Sequence, residues 1–131
     1  MKSFEDIIER ISNICINEEF DLVVAIANGG IIPAAMINQR LGCEFYILKL
    51  NLRDAMQNKL YDKPKLLQEI EFNFKGKRIL LVDDRVKTGT TLTFAKELLS
   101  EASNVKTLAV NGMADYFLYN EPCFRFPWLL K

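Results

Sequence analysis

The stretch that most constrains this chain is Arg78–Thr91, RILLVDDRVKTGTT, with LTFAKELLSEA behind it. Residues 78–84 are apolar until they end in two aspartates. A short apolar run of this kind suits an inner strand of a parallel sheet, covered on both faces. Thr88-Gly89-Thr90-Thr91 then opens a helix, read over 92–102, with Leu92, Ala95, Leu98 and Leu99 on one face. In an open parallel sheet, ligands bind beyond the carboxyl ends of the strands. A helix N-terminus at such a place offers unpaired N–H groups and the positive end of the macrodipole, and here threonine hydroxyls as well. That suits a phosphate monoester. Asp83 and Asp84 would repel the phosphate unless they face something else, and either a sugar's hydroxyl pair or a Mg2+ ion satisfies them. Asp-Asp alone is a polar strand end and TGTT alone an N-cap. The order of strand, acid pair, turn and helix is what reads as a ribose-phosphate cradle.

The rest of the chain repeats the alternation. Residues 22–27 (LVVAIA) form a buried strand that ends in Asn28-Gly29-Gly30, and IIPAAMINQRLG follows as a helix. Pro33 fits that helix's first turn and Gly42 its end. Residues 4–16 place Phe4, Ile7, Ile8, Ile11 and Ile14 at helical spacing, with Ser3 as N-cap and Asp6 as its capping-box partner. Residues 44–50, 105–110 and 115–119 read as further strands, and Phe72 and Phe74 alternate with polar residues like a short edge strand. Strands alternating with helices indicate an α/β fold, a single domain over 1–131 with a mostly parallel sheet and right-handed crossovers. GxxxxGK and GxGxxG are absent, which counts against a P-loop or dinucleotide fold.

Composition removes whole classes of function. Lys plus Arg and Asp plus Glu are 17 each, which argues against nucleic-acid binding through bulk positive charge. There is no histidine, so Ser-His and Cys-His nucleophiles, His-ligated zinc and His general bases are excluded. Cys15, Cys43 and Cys123 are too few and too scattered for a disulfide framework or a zinc site. They read as free thiols in a reducing cytoplasm. MKSFEDIIERISN lacks the apolar stretch of a signal peptide, and no apolar run approaches the roughly 18 residues of a membrane span. The expectation is a cytoplasmic protein with no membrane and no nucleic acid among its partners. Residues 51–77 stand apart as polar and weakly periodic. From Lys49 to Arg78 there are 8 Lys/Arg against 4 Asp/Glu.

RILLVDDRVKTGTTL resembles the diphosphoribosyl-binding motif of type I phosphoribosyltransferases, and LVVAIANGGIIPAAMINQRLG resembles their first strand, pyrophosphate loop and helix. The likeness runs from about Phe4 to Trp128 and is nearest to short bacterial purine members. It implies a parallel five-stranded sheet flanked by helices with a small hood, here reduced to 112–131. It implies phosphoribosyl diphosphate, Mg2+ and a nitrogenous base as ligands, and a homo-oligomer, a dimer. By position, Asp83 and Asp84 would hold the ribose hydroxyls and the metal shell. The phosphoribosyl site as a whole would run through Arg85, Val86, Lys87, Thr88, Gly89, Thr90 and Thr91, with 88–91 on the 5-phosphate. Asn28, Gly29 and Gly30 would meet the pyrophosphate, and the basic 51–77 segment would be the mobile loop that closes over the reaction.

Three positions depart from that pattern. Lys87 stands where purine members carry an aspartate that acts as acid/base. Either it takes a direct role, or it points outward or pairs with Asp83 or Asp84. Asn28 keeps hydrogen-bond donors but lacks the cation usual before the two glycines. Arg85 or a lysine from 51–77 is the candidate replacement. By rough alignment the base-stacking pair falls at Cys123-Phe124. There Phe124, Phe126 or Trp128 either stacks on a base or closes the core. No lysine lies between Thr107 and Asp115 to read a 6-oxo group. Two functions follow: a phosphoribosyltransferase acting on a purine-like base, or a catalytically weak module that binds phosphoribosyl diphosphate or a nucleotide for regulation. A receiver-like signalling domain also ends a strand in Asp-Asp, but it has no role for Gly29-Gly30 or TGTT.

Overall fold

Strand β1 (Leu22–Ala27) is the hub. Its first five residues are buried, because helices cover both of its faces. A computed structural model describes residues 2–51, 65–66 and 69–130. β2 (Glu44–Asn51) runs parallel to β1 on one side, and two-residue β3 (Lys65–Leu66) pairs antiparallel with it at the edge. β4 (Arg78–Arg85) runs parallel to β1 on the other side, followed by β5 (Asn104–Asn111) and β6 (Tyr116–Tyr119), also parallel. The order β3-β2-β1-β4-β5-β6 is a five-stranded parallel sheet with one short antiparallel addition. Much of the basic segment, residues 52–64 and 67–68, lies outside the described residues.

Alternation along the strands divides the core into two layers. Val23, Ala25, Leu80 and Val82 pack under α1 (Phe4–Asn13) and α2 (Ile31–Leu41). Leu22, Val24, Ile79 and Leu81 pack under α3 (Thr90–Leu98). Each of these Val, Leu and Ile side chains contributes about 1.5–3 kcal/mol by leaving water. The expected caps form. Ser3 Oγ accepts from the Asp6 N–H at 3.1 Å, and Asp6 accepts from the Ser3 N–H at 2.9 Å. Gly42 ends α2 at φ 66°, a conformation few other residues adopt cheaply.

Three local expectations are corrected. α1 stops at Asn13, and Ile14 is extended. Of its apolar stripe only Ile7 and Ile11 are buried, while Phe4 and Ile8 are 42% and 52% exposed. α3 ends at Leu98, where the Leu99 N–H already reaches back to the carbonyls of Ala95 and Lys96 in a tightened last turn. Phe72 and Phe74 join no ladder. Phe72 stacks on Tyr46 of β2 at 4.7 Å and Phe74 meets Phe72 edge-on at 6.2 Å, so their alternation serves packing.

β5 returns to parallel β6 through residues 112–115 alone, far shorter than the usual helical crossover. Asp115 secures the return by accepting from the Thr107 N–H at 2.9 Å and hydroxyl at 3.0 Å. The tail then runs back beneath α1. Phe126 is fully buried there, and Trp128 stacks on it at 5.0 Å and meets Phe4 at 6.3 Å. No described helix is long and apolar enough to cross a membrane.

Candidate functional site

The chain leaves β1 leftward through α2 to β2, and reaches β5 rightward from β4 through α3. The crevice between the carboxyl ends of β1 and β4 is therefore the switch point, where side chains of the two adjoining loops converge on open space. The loops there are 28–30 and 83–91, the two the sequence singles out.

They are in contact. A Cβ on Gly29 would overlap the Asp84 carboxylate, and one on Gly30 would overlap the Val82 carbonyl and the Ile26 backbone. Glycine at both positions lets the first loop lie on the end of β4. Gly30 N–H donates to the Ile26 carbonyl at 2.8 Å, turning the chain into α2. The Ala27–Asn28 peptide is cis, and Asn28 is exposed beside the crevice.

Residues 83–92 line a cavity of about 330 Å³. Asp83 is 9% exposed. Burial, and then the neighbouring Asp84, hold its carboxyl well above the ordinary range. Each acid accepts from the amide that follows it: Asp83 from the Asp84 N–H at 2.8 Å, Asp84 from the Arg85 N–H at 2.7 Å. Gly89, at φ 81°, turns the chain into α3. Thr88 Oγ1 and Thr90 Oγ1 lie 2.9 Å apart, and the Thr90 N–H donates to the Thr88 hydroxyl at 3.3 Å. Two hydroxyls and the start of α3 thus line the cavity, a donor set suited to phosphate oxygens.

Lys87 takes the outward position. It is exposed on the cavity wall, and the ion pairs among the described residues do not include it. Val86 donates its N–H to the Asn111 carbonyl at 3.0 Å and packs on Gly112, whose φ of 125° and close approach admit no side chain. Arg85 turns away from the acids. Its Nη2 donates to the Phe124 carbonyl at 2.8 Å, and its guanidinium lies 4.7 Å from the centre of the Phe126 ring. The residues expected to stack on a base are not among those lining the cavity. Cys123 is exposed, Phe124 sits edge-on between Tyr119 and Phe126 at 5.2 and 5.3 Å, and Trp128 lies under α1. Asn111, which sequence reading passed over, fixes the start of the tail. Its Nδ2 donates to the Glu121 carbonyl at 3.0 Å and its Oδ1 accepts from the Glu121 N–H at 3.1 Å.

Among the described residues no group of three or more metal-ligating side chains converges. The acid pair nevertheless fits Mg2+, which binds through one or two carboxylates and completes its shell with water and ligand phosphates. Asp83 and Asp84 are the residues that would hold it.

A family model described as "Phosphoribosyl transferase domain" matches residues 1–110. A xanthine-guanine phosphoribosyltransferase of Idiomarina loihiensis is 27% identical over 118 residues, which cover 85% of this chain and 72% of that one. The transcriptional regulator GfcR of Archaeoglobus fulgidus is 35% identical over 95 residues, covering 71% of this chain; the chain spans 46% of that relative's length. Among solved structures, a purine phosphoribosyltransferase from Pyrococcus horikoshii superposes with a TM-score of 0.80 at 23% identity, covering 97% of this chain and 91% of that one.

Proposed function

The chain belongs to the phosphoribosyl transferase domain family, and we propose that it transfers the 5-phosphoribosyl group of phosphoribosyl diphosphate to a purine-like base, releasing pyrophosphate. In this reading Thr88, Gly89, Thr90 and Thr91 take the 5-phosphate, and Asp83 and Asp84 take the ribose hydroxyls and a Mg2+ ion. Asn28, Gly29 and Gly30 take the pyrophosphate. A Mg2+ ion held by Asp83 and Asp84 would supply positive charge against the departing pyrophosphate. A ring nitrogen of the base attacks the anomeric carbon as the bond to pyrophosphate breaks, through an oxocarbenium-like transition state. Fixed amides and hydroxyls hold the two phosphate groups apart, which orients the sugar for that displacement. Segment 112–131 serves as a reduced hood and 51–77 as the closing loop. Three free cysteines suit a cytoplasmic setting.

The observation that carries the reading is the contact of Gly29 with the Asp84 carboxylate. It puts a glycine loop, an acid pair and a helix N-terminus around one crevice, where a pyrophosphate, a diol and a phosphate of one molecule can each find a partner. Titration calorimetry with phosphoribosyl diphosphate in Mg2+ buffer tests the binding half, and no heat there refutes it. Pyrophosphate release with hypoxanthine, guanine and xanthine tests the transfer.

A second reading has specific support. Lys87 carries a positive charge into the cavity wall, where a cation opposes a developing carbocation, and Asn28 brings no charge to the leaving group. Similarity to a transcriptional regulator points the same way. In this reading the domain binds phosphoribosyl diphosphate or a nucleotide as a signal. Tight binding with no pyrophosphate release from any base leaves only this reading.

A further inference from the structure

Arg85 begins at the acid pair and ends in the tail. Its N–H donates to Asp84 Oδ1 at 2.7 Å, while its Nη2 donates to the Phe124 carbonyl at 2.8 Å. Its guanidinium lies 4.7 Å from the centre of the Phe126 ring. Trp128 is the next layer, 5.0 Å on with planes 9° apart, and Phe4 of α1 lies 6.3 Å beyond. Arg85 Nε is buried and has no hydrogen-bond partner. The guanidinium is therefore held by one carbonyl and one ring face, with its Nε shut off from water. The tail's beginning is separately anchored, by Asn111 and by Lys2, whose ammonium lies 3.0 Å from Glu121.

We propose that Arg85 is a positioning residue that couples occupancy of the acid pair to the seating of tail residues 122–128. The proposal rests on the reading that a sugar ligand engages Asp83 and Asp84. A carboxylate can keep one amide while accepting new donors, but one that swings toward a pair of ribose hydroxyls draws away from that amide, and for Asp84 the amide belongs to Arg85. The guanidinium has little slack, because a planar fork bonds directionally and stacks on one face. A shift of the Arg85 backbone therefore passes to Phe124 and Phe126, and from Phe126 to Trp128. The coupling is reciprocal, so the seat of the tail also sets how readily Asp84 leaves its amide for a ligand.

Trp128 is the only tryptophan, so its emission reports the tail alone. The test uses the full chain, phosphoribosyl diphosphate and Mg2+, with binding followed by calorimetry and the tail by fluorescence. No heat with the unmodified protein overturns the site reading, and this proposal with it. Given heat, Trp128 emission should change with the same midpoint. In Arg85→Met, the emission change at saturating ligand should fall about fivefold or more, and the affinity should shift by up to about tenfold as the reciprocal coupling is lost. An unmodified protein that binds without an emission change overturns the coupling. So does an Arg85→Met protein whose emission responds in full. Binding weakened more than about tenfold in Arg85→Met makes Arg85 a direct ligand contact and overturns the positioning role. Should that variant fail to fold, Arg85→Lys keeps the cation and loses the fork. It should bind with a reduced emission change at saturating ligand, and an undiminished change counts against the proposal.

Discussion

The two ends of β4 are made of the same residue types and do opposite things. At its start, Arg78 is neutralised by the protein itself. Its N–H and Nε donate to Asp21 Oδ2 at 2.8 and 3.1 Å, its Nη2 donates to Asp21 Oδ1 at 2.9 Å, and Nη1 lies 3.4 Å from Glu19. The Arg78 guanidinium holds the Asp21 carboxyl far below the usual range. At its finish, Asp83 and Asp84 lie beside Arg85 and Lys87, yet Arg85 turns to the tail and Lys87 to solvent. Keeping a buried carboxylate without a cation costs stability. A fold that bears this cost at the switch point of its sheet, and not at the other end of the same strand, is what the proposed function expects, with that end kept for a charge or a diol brought from outside.

The most damaging way to test that contrast is Asp84→Asn. Mg2+-dependent binding of phosphoribosyl diphosphate should weaken about 100-fold, roughly 3 kcal/mol for a charge-assisted contact, with little change in folding. Calorimetry beside a urea melt checks both halves, and full retention of binding contradicts the placement of the acids. The glycines sharpen the point, because neighbours in sequence meet different atoms. Gly30→Ala drives a methyl into backbone and should cost about 1–3 kcal/mol of stability. Gly29→Ala meets the movable end of a side chain. It should displace the Asp84 carboxylate, weakening ligand binding about tenfold while the urea midpoint barely moves. Equal stability losses for the two would break the distinction.

A fourth substitution asks what Lys87 does at this end of the strand. If it merely replaces a catalytic acid, Lys87→Asp should raise turnover on hypoxanthine, guanine or xanthine severalfold, a modest part of what general acid–base catalysis supplies. Pyrophosphate release measured on the folded variant decides it, and unchanged or lower turnover counts against simple replacement.

Local chemistry is legible in the sequence, and long-range contacts are not. β1 spans the expected Leu22–Ala27, because burial on both faces leaves an unbroken apolar run. Short-range pairs are legible because capping and turn residues act on their own neighbours: Ser3 with Asp6 at the start of α1, Thr88 with Thr90 in the second crevice loop. What escaped depends on residues far apart in the chain. Nothing near Arg85 says that its guanidinium reaches Phe124 and Phe126, and nothing near Gly112 announces Val86. Phe124 and Trp128 left two readings open because an aromatic residue near a chain end serves a ligand or a core equally well until its neighbours are known. Phe72 and Phe74 misled for a related reason, since a strand's alternation and that of two rings packed on Tyr46 look the same.

The smallest effects test the contrast most cleanly, because they need no ligand. Asp21 has a folded pKa below its ordinary value of 3.8, the Arg78 hydrogen bond being the main cause. Its contribution to stability is present above about pH 4 and is lost as the pH falls below that. Asp83 has the reverse shift, with burial as the main cause. Its ionisation opposes folding at neutral pH, and the penalty fades as the pH falls through the raised folded pKa toward the ordinary one. Asp21→Asn should therefore lower the urea midpoint at pH 7, and Asp83→Asn should raise it. The Asp83 difference should close near pH 3, where that carboxyl is protonated whether folded or not, while the Asp21 difference should persist there and close only as the pH falls through its much lower folded value. If both variants fell on the same side at pH 7, the two ends of β4 would not differ as their geometry says, and Asp83 would be a structural acid like Asp21.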